Sequence, residues 1–422
     1  MAEIIKKPRG TNDFIGEEEI LFDIIKDKLF QISETFGANK VDVPVFEETK
    51  LFIRSVGESS DIVNKEMFRL DVKGEHDYVL RPEFTAGINR MMIENKLFAS
   101  PDLPLKFSYL GPVFRFERPQ AGRLRQFHQF GVEFLDAKID FLTMMDAVLN
   151  IYHAGKAILG HDLMLKINFL GSKESRENYK TALKDYYQDK LECMCEDCKR
   201  RFQVNILRIL DCKVESDIEI NKNAPILTDY LIQEDQDMFN KIKQGLEKLG
   251  IEYVIDPKLV RGLDYYTGLV FELYDPSNLQ LGAIGAGGQY GNLTSELGGP
   301  YFEGIGFSFG VERLLLALDQ AQKDKLLDGK KPYLDYFVID LRKEKDLLPL
   351  QVENTLRENG KKVSSSSYSK ALNGSLKMAD RKNSKYVLIF DDYNQNKVIV
   401  KNMKERTQDI IDYKDILTFL SK

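Results

Sequence analysis

The chain has 422 residues, 43% of them hydrophobic and 30% charged, with a net charge of −6 at pH 7, a composition typical of a globular protein with two or three domains. No apolar run approaches the ~20 residues needed to span a bilayer, and the first residues lack the apolar core of a signal peptide, so we expect a cytoplasmic protein with no membrane contact. Four cysteines in a chain of this length do not form a disulfide framework.

The first predicted elements are one helix and several strands. Apolar side chains recur at steps of three and four over residues 18 to 36, which indicates an amphipathic helix that stops at Gly37. The chain then becomes extended, with turn residues between 119 and 123. Alternation of side chains predicts strands at Tyr78 to Thr85, Phe107 to Arg118, Phe127 to Leu135 and Leu163 to Phe169.

The segment from 172 to about 250 differs from its surroundings. It is charged, it has helical spacing, and it lacks the strand and glycine pattern on either side, so we interpret it as an inserted helical module. It contains all four cysteines: Cys193, Cys195, Cys198 and Cys212. Their spacing is not the paired C-x2-C form of a zinc site, so the pattern favours plain thiols and no zinc is expected.

Beyond Leu259 the pattern of strands resumes, and residues 282 to 299 are dense in glycine. A helix is predicted after Gly310. Residues 326 to 332 are a plausible linker. The tail from 333 to 422 alternates strands and helices, which predicts a small α/β domain. It carries 17 Lys and Arg against 13 Asp and Glu, a mildly basic balance that permits a nucleic-acid contact without requiring one.

Alternation along two strands suggests a ligand pocket. Gln129, Gly131 and Glu133 share one strand face, with the glycine leaving a recess between an amide and a carboxylate. Glu83 and Thr85 are predicted to project together in the same way, and could hold an ammonium group. A solvated outer face for the first set, and a structural ion pair for the second, are the alternatives.

Three separated arginines lie among glycines and aromatic residues: Arg115, Arg261 and Arg313. Arginines are always charged and fork onto phosphate oxygens, so this pattern suits a site for a polyphosphate. No Gly-x4-Gly-Lys-Ser/Thr is present. The glycine-rich segment before Tyr290 fails the dinucleotide fingerprint, because Tyr290 stands where the third glycine should be. The sequence thus predicts nucleotide chemistry without a P-loop.

Several motifs in order resemble those of bacterial-type histidyl-tRNA synthetases, which are class II aminoacyl-tRNA synthetases. The resemblance covers almost the whole chain, including the insertion and the tail. The motifs that carry it are Pro8-Arg-Gly-Thr-Asn-Asp13, Phe107 to Glu133, Leu259-Val-Arg-Gly-Leu-Asp-Tyr-Tyr266 and Gly304 to Leu316.

The resemblance implies an α+β catalytic core over residues 1–325, built on an antiparallel sheet flanked by helices and carrying the helical insertion. It also implies a C-terminal α/β anticodon-binding domain over residues 333–422, and a homodimer. The family activates L-histidine with ATP, accompanied by Mg²⁺, to histidyl-adenylate, and transfers it to the 3′ end of tRNA-His. We find no separate protein site for the metal.

The resemblance also assigns roles to residues. Arg115 and Arg261 would contact the α-phosphate and serve catalysis, and Arg313 would hold the γ-phosphate, with Glu117 also at ATP. Gln120 and Arg123 would meet the acceptor end of the tRNA. The histidine pocket would comprise Glu83, Phe84, Thr85, Arg115, Gln129, Glu133, Arg261, Tyr265 and Tyr266.

Phe84 departs from the family, whose members usually have glycine there. Strand alternation directs Phe84 away from Glu83 and Thr85, which predicts a tolerated change; a narrowed pocket is the alternative. Gln289 and Gly291-Asn292 also replace a commoner Arg-Tyr-Asp-Gly pattern. These differences leave open whether the protein is a housekeeping enzyme or a specialised second copy.

Two other interpretations remain. A catalytically idle relative that regulates histidine biosynthesis, as a subunit of ATP phosphoribosyltransferase, resembles the core but lacks the anticodon domain and tends to lose the motif arginines. This chain has both the tail domain and the three motif arginines. A paralogue that activates histidine but charges another acceptor would keep every motif, and only charging of the cognate tRNA distinguishes it.

Overall fold

The computed structural model describes residues 3–56, 62–259, 266–330, 333–366, 371–394 and 396–416. Contacts divide the chain into two compact units, Met1–Leu326 and Leu327–Lys422. Among the described residues, no helix is both long enough and apolar enough to cross a membrane.

The described residues of the first unit form ten strands. Eight of them form one sheet in the order β1-β4-β5-β10-β9-β8-β6-β7, and β2 pairs with β3 separately. The strands are β1 Asn39–Lys40, β2 Phe46–Glu48, β3 Tyr78–Leu80, β4 Leu105–Phe114, β5 Gln126–Asp136, β6 Met164–Phe169, β7 Tyr253–Ile255, β8 Tyr266–Tyr274, β9 Ala283–Tyr290 and β10 Glu303–Gly310.

The antiparallel sheet predicted from the sequence is confirmed for its six central strands. The short edge strands β1 and β7 instead pair in parallel with β4 and β6, so the complete sheet is mixed. The flanking helices are α1 Glu17–Thr35, α2 Thr49–Val56, α3 Thr85–Glu94, α4 Phe141–Leu159, α5 Lys173–Gln188, α6 Glu196–Val204, α7 Glu215–Asn221, α8 Gln233–Lys248, α9 Leu293–Glu296, α10 Val311–Ala317 and α11 Gln320–Leu327.

Helix α4 covers the apolar face of the sheet. It begins where the side chain of Asp140 accepts a hydrogen bond from the amide of Thr143 at 2.8 Å, and it ends at Gly160 in the left-handed conformation. Its buried side chains pack in one cluster with Phe130 and Phe134 of β5. Because side chains alternate along β5, residues 129, 131 and 133 are left for the opposite face.

One predicted strand is wrong over half its length. The segment from Tyr78 is extended only to Leu80, and helix α3 begins at Thr85. Pro82 lacks the amide that would continue the ladder. The carboxylate of Glu83 then accepts hydrogen bonds from the amides of Thr85 and Ala86 at 2.5 and 3.0 Å, satisfying two of the free donors at the start of the helix.

The predicted helical insertion is confirmed, since α5 to α8 occupy it with short 3₁₀ turns between them. Its buried core includes Tyr179, Tyr187, Cys198 and Cys212.

The strand predicted to end at Arg118 stops earlier, at Phe114.

The second unit has a five-stranded sheet in the order β12-β11-β13-β14-β15, which confirms the predicted α/β tail. Two of its strands are short and were not recognised from the sequence, because Val363–Ser365 has one apolar residue and Gln408–Asp412 is polar at both ends and largely exposed. The elements are β11 Leu334–Asp340, α12 Leu348–Glu358, β12 Val363–Ser365, α13 Leu372–Arg381, β13 Ser384–Phe390, β14 Lys397–Asn402 and β15 Gln408–Asp412.

Candidate active site

A cavity of about 530 Å³ opens on the face of the central sheet away from α4, a volume typical of a small-molecule site. The connection between β4 and β5, the start of α3 and a 3₁₀ turn of the insertion contribute to its walls. Its wall is rich in charge. The charged residues that line it are Glu66, Glu83, Arg115, Glu117, Arg123, Glu133, Arg208, Glu272, Glu312 and Arg313.

The carboxylate of Glu133, on β5, forms the floor of the cavity and is 2% exposed. Three hydroxyl groups donate to it. Thr85 Oγ1 lies 2.7 Å from Oε1, Tyr109 Oη lies 3.2 Å from Oε1, and Tyr290 Oη lies 2.9 Å from Oε2. Because the donors come from α3, β4 and β9, three separate elements fix the orientation of this one carboxylate.

Glycines in the sheet make room for these side chains. An added Cβ at Gly306 would overlap the carboxylate of Glu133, one at Gly131 would overlap the hydroxyl of Tyr109, and one at Gly304 would overlap the ring of Tyr290. The floor of the cavity therefore exists because three neighbouring positions on β5 and β10 carry no side chain.

The environment of Glu133 also changes its acidity. Burial raises the pKa of Glu133 to about 7, and the neighbouring carboxylate of Glu83 adds to the rise, while the hydroxyl donors oppose it. Burial likewise raises the pKa of Glu83. Two buried carboxyl groups near one another are typical of a site that awaits a cationic or hydrogen-bond-donating ligand.

Phe84 does not line the cavity. It is 1% exposed, and its ring stacks on that of Tyr109 with centroids 4.3 Å apart. The guanidinium of Arg81 also lies 3.9 Å from the centroid of the Phe84 ring. Arg81 is itself held in place, because it donates to the carbonyl oxygens of Val43 and Pro112 at 2.5 and 2.9 Å. Phe84 thus supports the tyrosine that holds Glu133, whereas Glu83 and Thr85 reach the cavity from the start of α3.

Gln129 lies beside Glu133 on the same strand face, as predicted from alternation. Its Nε2 donates to Ser308 Oγ at 2.7 Å. Its Oε1 is buried and has no hydrogen-bond partner among the described residues. A buried acceptor without a donor is costly, so the cavity presents at least one oxygen that a bound N–H group would satisfy.

The positive charge of the cavity comes from arginines that are held in place by backbone carbonyl groups. Arg313 donates to Ala283 O at 2.8 Å and to Gly122 O at 3.0 Å, and Arg115 donates to Pro82 O at 3.0 Å. Burial lowers the pKa of Arg313, and the nearby charge of Arg123 lowers it further. Positive charges gathered in one cavity form an electrostatic site for an anion such as phosphate.

A tight turn places two of the predicted residues. The backbones of Gln120 and Arg123 pair through hydrogen bonds of 3.0 and 2.9 Å, with Gly122 in the left-handed conformation between them. Arg123 reaches the cavity and lies 3.7 Å from the carboxylate of Glu117. Gln120 is exposed at the tip.

Helix α10 is anchored to β5 by Glu312. Its carboxylate accepts hydrogen bonds from the amide of His128 at 2.9 and 3.0 Å and lies 2.9 Å from the ring Nδ1. The same ring packs on Phe14 and Phe22. Through this contact, Arg313 on the next position is held over the cavity.

The structure describes only part of the segment from Leu259 to Tyr266. Tyr266 begins β8 and lines the cavity. Arg261 and Tyr265 lie outside the described residues.

Sequence reasoning missed several residues of the site. Tyr109 is on the same face of β4 as Val113, and alternation could have found it. Tyr290 was noticed only as a break in a glycine fingerprint. Arg208, from the insertion, and Glu272, on β8, line the cavity, but no local pattern connects them with it.

Comparison with known proteins gives one consistent family. A family model described as histidyl-tRNA synthetase matches residues 10–314. The histidine–tRNA ligase of Thermosipho melanesiensis is 41% identical over 405 residues, which cover 96% of this chain and 95% of the relative. That of Staphylococcus haemolyticus is 39% identical over 426 residues, with 99% of both covered. The crystal structure of apo S. aureus histidyl-tRNA synthetase superposes with a TM-score of 0.79 at 31% identity, covering 99% of this chain and all of that one.

Proposed function

The chain belongs to the histidyl-tRNA synthetase family, and from that premise we propose that the cavity described above is where both steps of histidine–tRNA ligation take place. The enzyme is a class II aminoacyl-tRNA synthetase. In the first step the carboxylate of histidine attacks the α-phosphorus of ATP and diphosphate leaves. In the second, a ribose hydroxyl at the 3′ end of tRNA-His attacks the carbonyl carbon of the adenylate, and AMP leaves.

The observation that carries the proposal is the buried carboxylate of Glu133, fixed by Thr85, Tyr109 and Tyr290. An imidazole ring needs an acceptor for its N–H group, and this carboxylate supplies one without further reorganisation. Tyr266, on the adjacent wall, would contact the ring as well. A side chain that lacks the N–H leaves Glu133 unpaired, so rejection of other amino acids is strong.

The other end of histidine is assigned to two residues of the same floor. Glu83 lies at the start of α3 with its carboxylate in the cavity, and its charge would balance the α-ammonium group. The buried Oε1 of Gln129 would accept one of the ammonium hydrogens. This orientation directs the histidine carboxylate away from Glu83 and Glu133 and toward the arginines.

The phosphates of ATP would lie against the arginines. Arg115 would contact the α-phosphate, where negative charge develops during attack, and Arg313 the γ-phosphate. Arg261 is assigned to the α-phosphate from the sequence resemblance alone. Fixed positive groups of this kind act mainly by positioning and by stabilising charge.

Mg²⁺ is proposed to enter with ATP. Glu117 and Glu272 both line the cavity and both act electrostatically on Arg313. Carboxylate oxygens are the protein ligands that Mg²⁺ prefers, so these two residues fit the metal. When bound, Mg²⁺ would neutralise charge on the phosphate oxygens.

The tRNA would contact both units. Gln120 and Arg123, on the turn beside the cavity, are assigned to its acceptor end. The second unit, with its mildly basic balance, is assigned to the anticodon. We also propose that the enzyme is a homodimer, by resemblance to its family, and that it works in the cytoplasm, where tRNA is used in translation.

Two assays on the same sample test the function. Histidine-dependent exchange of diphosphate into ATP reports the first step, and formation of acid-stable histidyl-tRNA from a tRNA-His transcript reports both. We expect both activities. Exchange without charging would identify a paralogue with another acceptor, and absence of both would contradict the proposal. Light scattering of the purified chain tests the dimer.

A further inference from the structure

A second group of chemically reactive side chains lies in the helical insertion. Cys195 caps the start of α6, and Cys198 lies in the first turn of that helix. Cys212 follows the 3₁₀ turn Ile206–Asp211, and Asp217 lies on α7. One ligand atom from each of these four residues lies within 4.8 Å of the others. The fourth cysteine, Cys193, is exposed and does not belong to the group.

The distances are those of a tetrahedral metal site. Metal–sulfur bonds of ~2.3 Å in a tetrahedron place two sulfur atoms about 3.8 Å apart. The Sγ atoms of Cys195 and Cys212 are 3.8 Å apart, and Cys212 Sγ lies 3.2 Å from Asp217 Oδ2. A disulfide would require the two sulfurs to be about 2.05 Å apart.

Burial makes the carboxylate of this group unusual. Asp217 and Cys198 are both 0% exposed. The carboxylate of Asp217 accepts hydrogen bonds from the amide of Cys195 at 3.2 and 3.3 Å, from the hydroxyl of Ser216 at 3.2 Å and from the thiol of Cys212 at 3.2 Å. Among the residues that the structure describes, it forms no ion pair with a basic side chain. Burying a charge without a counter-charge is expensive, and a bound cation would supply the missing charge.

Backbone amides point at two of the sulfur atoms. The amide of Cys198 lies 3.4 Å from Cys195 Sγ, and the amide of Val214 lies 3.4 Å from Cys212 Sγ. These hydrogen bonds fix the orientation of both sulfur atoms. Such donors around the ligands are characteristic of built metal sites.

We propose that Cys195, Cys198, Cys212 and Asp217 bind one Zn²⁺ ion per chain, as a structural site with three sulfur ligands and one oxygen ligand. All four tetrahedral positions are then filled by protein, so the ion holds the insertion together and takes no part in the reaction. Any thiol that is protonated before binding releases its proton to solvent. The proposal opposes the expectation from sequence, which favoured plain thiols because the cysteines lack the paired C-x2-C spacing.

The ion would also influence the active site. Cys198 and Cys212 lie on either side of the segment that carries Arg208 into the cavity, and the side chain of Arg201 donates to the carbonyl oxygen of Arg208 at 3.1 Å. A metal that joins the two ends of this segment limits its motion. Arg208 therefore depends on the ion for its position.

The first test is metal content. The full chain is purified under reducing conditions, and zinc is measured by mass spectrometry after reconstitution with Zn²⁺ and removal of the excess. We expect about one Zn²⁺ per chain, unchanged in Cys193→Ser, which removes the exposed cysteine. Cys198→Ser and Cys212→Ser should retain a small fraction of it. Zinc below about a tenth of an equivalent in the unaltered chain, or equal zinc in all variants, would overturn the site.

A second measurement covers the case in which a cysteine variant fails to fold. Co²⁺ added to the metal-free unaltered chain should produce the intense visible bands of a tetrahedral ion and a sulfur-to-metal charge-transfer band. Asp217→Asn, which keeps the shape of the side chain, should shift the visible bands. Octahedral Co²⁺ spectra without a sulfur-to-metal charge-transfer band would contradict the proposal.

Discussion

The hydroxyl of Tyr290 donates to Oε2 of Glu133 at 2.9 Å, and the two residues lie on strands that are not neighbours. β9 and β5 both pair with β10, which runs between them. The contact crosses β10 above Gly306, the partner of Glu133 in the β5–β10 register, where no side chain obstructs it. Together with the hydroxyls of Thr85 and Tyr109, this contact ties Glu133 to three elements besides its own strand.

Loss of this hydroxyl should weaken recognition of histidine. Tyr290→Phe removes one donor to a buried carboxylate, which we expect to raise the KM for histidine by about tenfold, or ~1.4 kcal/mol, with the KM for ATP unchanged. Diphosphate exchange at varied histidine concentration measures it. Tyr301→Phe is the matched control, because its hydroxyl also contacts a glutamate, Glu303, but at an exposed position. Equal effects in both variants would contradict the assignment.

A methyl group at Gly306 should abolish use of histidine. The added carbon of Gly306→Ala would overlap the carboxylate of Glu133 and displace it, and we expect a loss of ~10²-fold or more in the exchange rate. Circular dichroism establishes that the fold is kept. Gly291→Ala is the control, since its added carbon would meet only ordinary contacts of 3.7 Å or more. Unchanged exchange activity in Gly306→Ala would contradict the assignment of Glu133 to the histidine pocket.

Arg313 should affect ATP and not histidine. Replacement by glutamine removes a charge that two carbonyl groups hold in the cavity, and we expect the KM for ATP to rise by about 10- to 100-fold. Titration of ATP in the exchange assay gives the value. Arg69→Gln removes an arginine that is paired with Asp77 at an exposed position and should change nothing. A rise in the KM for histidine alone would contradict the role.

Stability should depend on pH through Glu133. Its pKa is raised in the folded protein to about 7 from an ordinary value of 4.5, so the folded state binds the proton more tightly than the unfolded state. Its stabilising contribution is therefore complete below pH 4.5 and is lost as pH rises through 7. The side chain in Glu133→Gln cannot titrate. The thermal midpoint of this variant, relative to that of the unaltered chain, should therefore rise as the pH rises across this interval. Parallel curves for the two proteins would show that the pKa is not raised.

Part of the site followed from the sequence because alternation along a strand is a local rule. Gln129 and Glu133 were assigned to one face from spacing alone, and β5 is a regular strand from Gln126 to Asp136. Glu83 and Thr85 were placed together for the wrong reason. They meet in the cavity because Glu83 accepts hydrogen bonds at the start of a helix that Thr85 opens, which strand alternation does not describe.

The rest of the site depends on contacts between distant segments. Tyr290 is 157 residues from Glu133 in the chain, and only the order of strands in the sheet brings them together. Asp217 gave no signal because an aspartate in a charged helical segment is ordinary, and its importance arises from complete burial next to three thiols. Local pattern does not report burial of this kind.

The glycines of the cavity floor have a consequence for how relatives of this protein diverge. The hydroxyl of Tyr109 occupies the space that a side chain at position 131 would need, so neither position can change by itself without a clash or a void. The backbone carbonyl oxygen of Phe307 lies 2.6 Å from the same added carbon, so a shorter residue at 109 does not by itself make room for a side chain at 131. Relatives that lose the tyrosine should therefore still keep glycine at 131, and a side chain at 131 should mark lineages in which the backbone of β10 has moved as well.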